Sequence, residues 1–257
     1  MFTWDAELYL RFSSERTRPA VDLTARIAIP DPKRIIDLGC GPGNSTAVLR
    51  QRWPKADITG LDSSADMIAA ASRSYPRHEW LIADIATWNA GTPFDVVFSN
   101  ASLQWVPNHS ILFPHLFAQV ASGGALAVQI PAHSSSPLHR EILETAGDPS
   151  WSHLMGPALN AMTKEPPSFY YNLLGPPAAH LEIWETVYYH VVESPQSIIE
   201  WFRGTGLRPF LEALENEGQR KRFEELLLER YTRAFPRQND GRVLFPFQRL
   251  FIVAYKA

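Results

Sequence analysis

Between residues 34 and 131, short apolar runs alternate with segments of helical periodicity, and no other feature of the chain restricts its fold so tightly. The runs "RIIDLGC" (34–40), "ADITGLD" (56–62), "EWLIADI" (79–85), "FDVVFSN" (94–100) and "ALAVQIP" (125–131) read as strands. Between them, "NSTAVLRQRW" (44–53), "SADMIAAASRSY" (64–75) and "HSILFPHLFAQVAS" (109–122) read as helices, the first two stopped by Pro54 and Pro76. Strands that alternate with helices pair in parallel through right-handed crossovers, which makes a doubly wound, Rossmann-like α/β sheet. Their nearly continuous apolar character fits a sheet covered on both faces.

Beyond residue 132 the pattern changes. Prolines, glycines and aromatics punctuate residues 133–180, most densely in "KEPPSFYYNLLGPP" (164–177), and predict short helices and loops. "LEIWETVYYHVV" (181–192) then alternates like a strand, residues 194–215 and 218–235 carry amphipathic helical patterns, and "FPFQRLFIVAYKA" (245–257) closes as a strand. The expected organisation is an N-terminal helical lid (1–30), an α/β core (31–132), a helical cap and acceptor region (133–243) with one sheet strand near 181–192, and a final strand (244–257). That makes seven strands, with the helical cap inserted late in the chain.

The turn after the first strand, "IIDLGCGPGNST" (35–46), is the chemical focus, because ligands of open α/β sheets bind beyond the carboxyl ends of the strands. Gly39 and Gly41 suit a tight turn that brings backbone to a ligand. The dinucleotide fingerprint G-x-G-x-x-G places its third glycine where Asn44 stands, and no Lys-Ser/Thr pair follows a G-x-x-x-x-G spacing. Neither phosphate-binding pattern fits.

The spacing Asp37-x-Gly39-x-Gly41-x-Gly43 resembles motif I of the class I S-adenosylmethionine-dependent methyltransferases. In that family the glycines pack on the amino-acid end of the donor and the aspartate helps bind its ammonium. The resemblance extends to Asp62 at the end of the second strand, implied to bind the ribose hydroxyls, and to Asp84 with Ile85, implied to meet the adenine. Asn100, Ala101 and Trp105 follow the fourth strand, where the family meets the sulfonium. Ser63, Met67 and Cys40 complete the implied donor set, Cys40 as a small space-filler rather than a reactive thiol. Asp62 and Asp84, each taken alone, also read as a helix or turn cap.

"WDAELYLRFSSERTRPA" (4–20), "SNASLQWVPNH" (99–109) and "ESPQSIIEWFRGTGLRPFLEAL" (193–214) are similar to the trans-aconitate methyltransferases, small-molecule carboxyl methyltransferases within that class. The resemblance implies transfer of a methyl from S-adenosylmethionine to one carboxylate of a tricarboxylate, with S-adenosylhomocysteine released. An ionised carboxylate needs no general base, so no catalytic residue beyond positioning groups is expected, and no metal. Position in the chain suggests Arg16, Arg203 and Arg249 as carboxylate partners, with Tyr9, Trp105 and His109 as shape or donor groups. His109, at a helix start, reads more readily as a helix cap or surface residue. The N-terminal segment and the cap are expected to close over the donor.

Composition narrows the partners. A net charge of −3 supplies no basic footprint for nucleic acid. The single cysteine can form neither an internal disulfide nor a thiolate zinc site, and no apolar run approaches the ~20 residues of a membrane span. The N-terminus lacks the uninterrupted apolar core of a signal peptide, so a soluble cytoplasmic protein with a small polycarboxylate substrate is expected. On sequence alone three alternatives stay open: a methyltransferase for a phenol or quinone precursor, a nicotinamide oxidoreductase, and a non-catalytic module that senses the methyl donor.

Overall fold

The computed structural model describes residues 13–132, 136–163 and 165–257, with side chains from Thr17 onward in the first helix. Tyr9 and the rest of the segment before Ser13 lie outside the described residues.

Seven strands form one mixed sheet: β1 (Arg34–Leu38), β2 (Asp57–Asp62), β3 (Glu79–Ile82), β4 (Phe94–Asn100), β5 (Val120–Pro131), β6 (Ala178–Val192) and β7 (Val243–Lys256). Their order is β3-β2-β1-β4-β5-β7-β6, and β1 to β5 pair in parallel. The chain moves outward from β1 through β2 to β3, then returns to the other side of β1 with β4. This reversal leaves a crevice at the carboxyl ends of β1 and β4, the binding position of doubly wound sheets.

Ser13–Arg26 forms α1, Asn44–Arg52 α2, Ala65–Ser74 α3 and His109–Ala118 α4. Ile35, Ile36 and Leu38 of β1 and Val96, Val97 and Phe98 of β4 are buried with Leu23 of α1 and Ile27 just after it, Leu49 of α2, and Leu112 and Phe113 of α4. The central strands are covered as their sequence requires. The edge strand β3 is not, and its Leu81 and Ile82 are exposed.

Between β5 and β6 lie α5 (Pro137–Ala146), α6 (Gly156–Leu159) and α7 (Pro167–Leu174). Between β6 and β7 lie α8 (Pro195–Arg203), α9 (Arg208–Ala213) and α10 (Glu217–Ala234). The pattern over 194–215 is thus two helices, because Gly204 and Gly206 interrupt it. The helix expected to run to Ser122 ends at Ala118, because Val120 pairs with Phe94 and starts β5.

The chain divides into two compact units. One comprises the described residues up to Pro131, Thr163–Thr186 and Leu250–Ala257; the other comprises Ala132–Met162 and Val187–Arg249. The second has its own core, in which Phe210, Phe223, Leu227 and Tyr231 are buried with Leu138, Ile142 and Trp151. Tyr231 donates its hydroxyl to the Leu138 carbonyl (3.0 Å), and Trp151 its indole N–H to Thr145 (2.9 Å). Among the described residues, no helix is long and apolar enough to cross a membrane.

Candidate functional site

The site is built at the carboxyl end of β1. Asp37 is fully buried there, and its Oδ2 accepts bonds from Ser45 Oγ (2.7 Å) and Thr46 Oγ1 (2.6 Å) in the first turn of α2. The aspartate therefore ties strand to helix beneath the loop. Burial pushes its carboxyl up to about 6 against the pull of the two hydroxyls, and its buried Oδ1 has no donor among the described residues.

Above it, Gly39, Gly41 and Gly43 all sit at positive φ. The amides of Gly39 and Cys40 both donate to the Leu61 carbonyl (2.7 and 3.0 Å), which staples the loop to β2. Gly39 also meets the loop after β4 so closely that a Cβ there would fall 1.8 Å from Ser102 Oγ. Only glycine fits.

Asp62 ends β2. Its Oδ2 accepts the Gly41 amide (3.0 Å) and its Oδ1 the Ser64 amide (2.9 Å), so the backbone orients the carboxylate. Burial raises its pKa, and these bonds oppose the rise. The N-cap of α3 is Ser64, which accepts from the Met67 amide, so capping does not consume Asp62. Asp84 accepts the Ala86 amide with its Oδ1 (2.9 Å), as a turn cap does, and also lines the same cavity.

After β4 the chain enters Ala101 at φ 55, a conformation that costs an L residue about 1–3 kcal/mol and persists only when neighbours enforce it. Here they do. The Ala101 amide donates to Gln129 (2.9 Å), and its carbonyl accepts Gln104 Nε2 (2.7 Å). Leu103–Trp105 then forms a 3-10 turn that carries Trp105 to the cavity.

These pieces enclose a cavity of about 450 Å³, lined by Gly39, Gly41, Pro42, Asp62, Ser63, Met67, Asp84, Ile85, Ala86, Asn100, Ala101, Ser102, Trp105, Val106 and Pro107. The volume suits a single small ligand. Among the described residues, two carboxylates line it and no lysine, arginine or histidine does. A ligand recognised through phosphates would meet only repulsion. Asn100, also in the lining, adds a buried Oδ1 with no donor among the described residues. Such a lining fits a cationic ligand rich in hydrogen-bond donors. S-adenosylmethionine, with a sulfonium, an ammonium, two ribose hydroxyls and an adenine amine, is one.

A methyltransferase-domain family model matches residues 12–211. Trans-aconitate 2-methyltransferases of Azoarcus sp. (strain BH72) and Rhodopseudomonas palustris (strain BisB18) are 44% and 47% identical to this chain, each over 100% of both sequences. The chain belongs to the trans-aconitate 2-methyltransferase family. Its fold is similar to that of the YcgJ protein from Bacillus subtilis, with TM-score 0.59, 10% identity, and coverage of 93% of this chain and 99% of that one. It is also similar to Haemonchus contortus phosphoethanolamine N-methyltransferase 2 in complex with S-adenosyl-L-methionine, with TM-score 0.57, 13% identity, and coverage of 93% and 53%.

Of the donor residues expected for this trans-aconitate 2-methyltransferase family member, Gly39, Gly41, Asp62, Ser63, Met67, Asp84, Ile85, Asn100, Ala101 and Trp105 line the one cavity. Asp37, Cys40 and Gly43 stand outside the lining. Gly43 is the left-handed N-cap of α2. Cys40 is buried toward Gly60, where a Cβ would lie 3.0 Å from its Sγ, and burial with the nearby Asp37 and Asp62 pushes its thiol up, away from thiolate chemistry. Sequence reasoning missed Pro42, Ala86, Ser102, Val106 and Pro107. Most of these fall inside the motifs that were read, but their side chains carry no charge to draw attention.

The acceptor residues fare differently. The Arg16 backbone is on α1, and its side chain lies outside the described residues. Arg203, on α8, spends its guanidinium fork on Glu224, with Nε and Nη2 each 2.8 Å from a carboxylate oxygen. Arg249, on β7, is 5% exposed, its guanidinium 4.1 Å from the centroid of the Phe247 ring. His109 corrects the surface reading: it is buried with both ring nitrogens engaged, and it stands outside the cavity lining.

Proposed function

We propose that this chain transfers the methyl group of S-adenosylmethionine to one carboxylate of trans-aconitate, giving a monomethyl ester and S-adenosylhomocysteine. What carries the reading is the cavity at the carboxyl ends of β1, β2 and β4, whose described lining holds two carboxylates and no basic side chain. Full-length similarity to relatives named for this reaction supports trans-aconitate as the acceptor.

When bound, S-adenosylmethionine supplies an electrophilic methyl: a carboxylate oxygen forms the new O–C bond as the C–S bond breaks and its electron pair stays on sulfur. The chain's part is to position. Asp62 would accept from the ribose hydroxyls, Asp84 and Ile85 would hold the adenine, and the Gly39–Gly41 backbone with Asn100 would hold the amino-acid end, with Asp37 beneath the loop acting through it. Ala101 and Trp105 form the wall at the sulfonium. Because the acceptor carboxylate is ionised near neutral pH, no residue removes a proton, and rate comes from holding oxygen, carbon and sulfur in line. The carboxylates that do not react need cations, and we assign Arg16 and Arg249 to them, with Tyr9 and Trp105 shaping the acceptor's place.

The test is S-adenosylhomocysteine release with trans-aconitate, cis-aconitate, isocitrate and citrate as separate acceptors. Turnover strongest on trans-aconitate is expected. Donor binding without turnover on any of the four would overturn the acceptor assignment, and absence of donor binding would overturn the whole reading.

A further inference from the structure

His109, removed from the acceptor set, has a different place in the molecule. It opens α4 at 1% exposure, with Nε2 2.9 Å from the Leu103 carbonyl oxygen and Nδ1 2.7 Å from the Tyr170 hydroxyl. A carbonyl only accepts, so Nε2 carries the proton and Nδ1 accepts the phenolic O–H. Geometry thus selects one neutral tautomer. Burial favours the same state by lowering the imidazole's pKa and raising the phenol's. Tyr170, on α7, is itself locked: its ring centroid lies 4.7 Å from that of Phe113, which packs 5.1 Å from His109.

We infer that His109 and Tyr170 are positioning residues for methyl transfer, a buried imidazole–phenol pair outside the cavity that holds the turn bearing Trp105 in the cavity wall. The inference rests on the methyl-donor reading of that cavity. The turn is held from behind at each of four carbonyls. Leu103 accepts from His109 and from the Val106 amide (2.9 Å), Gln104 from the Thr163 amide (2.8 Å), Val106 from Thr163 Oγ1 (3.2 Å), and Ala101 from Gln104 Nε2 (2.7 Å). None of His109, Gln104, Thr163 and Tyr170 lines the cavity, while Ala101, Trp105 and Val106 do. Asn108, at φ 58, reverses the chain before α4 so that its first residue meets Leu103 again. The tautomer is what makes the pair act as a unit: Tyr170 keeps the proton on the nitrogen that reaches the turn.

The experiment is calorimetric titration of S-adenosylmethionine into the full chain and its His109→Phe, His109→Gln and Tyr170→Phe variants, with a thermal midpoint for each. His109→Phe is expected to weaken donor binding about tenfold, the upper range for one buried hydrogen bond. His109→Gln places an amide N–H where Nε2–H stood and is expected to recover most of that loss. Tyr170→Phe frees the tautomer and is expected to fall between them, roughly threefold below the unaltered chain. A merely structural pair would lower the midpoints and leave the dissociation constants of the folded variants equal, and that result overturns the inference. If His109→Phe does not fold, equal donor affinity in His109→Gln, Tyr170→Phe and the unaltered chain overturns it alone. An unaltered chain that binds no donor refutes the reading of the cavity itself.

Discussion

Replacing Gly39 by alanine tests whether the closeness of two loops, rather than glycine's flexibility alone, builds the donor cavity. At φ 69 any L residue costs about 1–2 kcal/mol in backbone energy. The added Cβ would also fall 1.8 Å from Ser102 Oγ and 2.3 Å from Ser102 Cβ, where ordinary contact begins at 3.4 Å. Neither loop yields easily, since the Gly39 amide is bonded to Leu61 (2.7 Å) and the neighbouring Ala101 amide to Gln129 (2.9 Å). Overpacking of this kind adds about 1–3 kcal/mol, so Gly39→Ala is expected to lose roughly 2–5 kcal/mol. Gly41→Ala is the control. It sits at φ 54 with nothing within 4 Å of the added Cβ, so only the backbone cost of about 1–2 kcal/mol remains. Adding Ser102→Gly to Gly39→Ala removes both clashing atoms and should return the overpacking part while leaving the backbone part. Denaturant unfolding measures the stabilities, and calorimetry with S-adenosylmethionine measures the cavity. If Gly39→Ala costs no more than Gly41→Ala, or the second substitution recovers nothing, the close approach does not limit this loop.

Asp62→Asn is expected to weaken donor binding on the order of 10- to 100-fold, the range for hydrogen bonds to a charged acceptor, and unchanged calorimetric affinity would remove Asp62 from the site. Asp37 carries a pH signature: its carboxyl holds a proton up to about 6 in the fold against 3.8 ordinarily, so its contribution is full below 3.8 and lost as pH rises through 6. The donor-free protein should lose stability between about pH 4 and 6 from this group, a slope that Asp37→Asn flattens in denaturation curves. A cationic donor favours the ionised form, so binding near pH 6 should release protons, measured by calorimetry in buffers of different ionisation enthalpy. Arg249→Met is expected to raise the acceptor KM at least tenfold with donor affinity intact, whereas Arg203→Ala, which breaks a part-exposed pair worth about 0–1 kcal/mol, should leave acceptor kinetics unchanged. Steady-state kinetics on trans-aconitate separates the two.

The parallel strands and the glycine loop were legible because their signals are local. The apolar runs of β1 and β4 sit among buried neighbours, and the positive φ values at Gly39, Gly41 and Gly43 are what that spacing is for. The misses share another cause. Val120 left the helical pattern for β5 because Phe94, far back in the chain, pairs with it. His109 proved buried because Tyr170 waits 61 residues on, and the Arg203 fork meets Glu224 21 residues on. No window along the chain contains both partners of such a pair. The aspartates lay between these cases: their types and places could be read, but not that Ser64 rather than Asp62 caps α3.

The donor and the acceptor make opposite electrostatic demands, and the lining residues meet only one of them. A guanidinium 4 Å from a sulfonium would repel it by about 1 kcal/mol in water and about 4 kcal/mol at a protein surface, which accounts for a wall of two carboxylates without a base. A tricarboxylate needs the reverse, so its cations have to come from side chains outside that lining. Nineteen arginines against five lysines give the chain many planar forks that match carboxylates, but several of those on the surface are spent. Arg203 pairs with Glu224, Arg220 with Glu217, Arg222 with Glu225 and Arg230 with Glu144. Arg249 differs because it is buried, and a guanidinium withdrawn from water costs several kcal/mol that only well-placed negative charge and hydrogen bonds offset. Arg249→Met therefore tests the acceptor assignment directly: an unchanged KM for trans-aconitate would remove Arg249 from it.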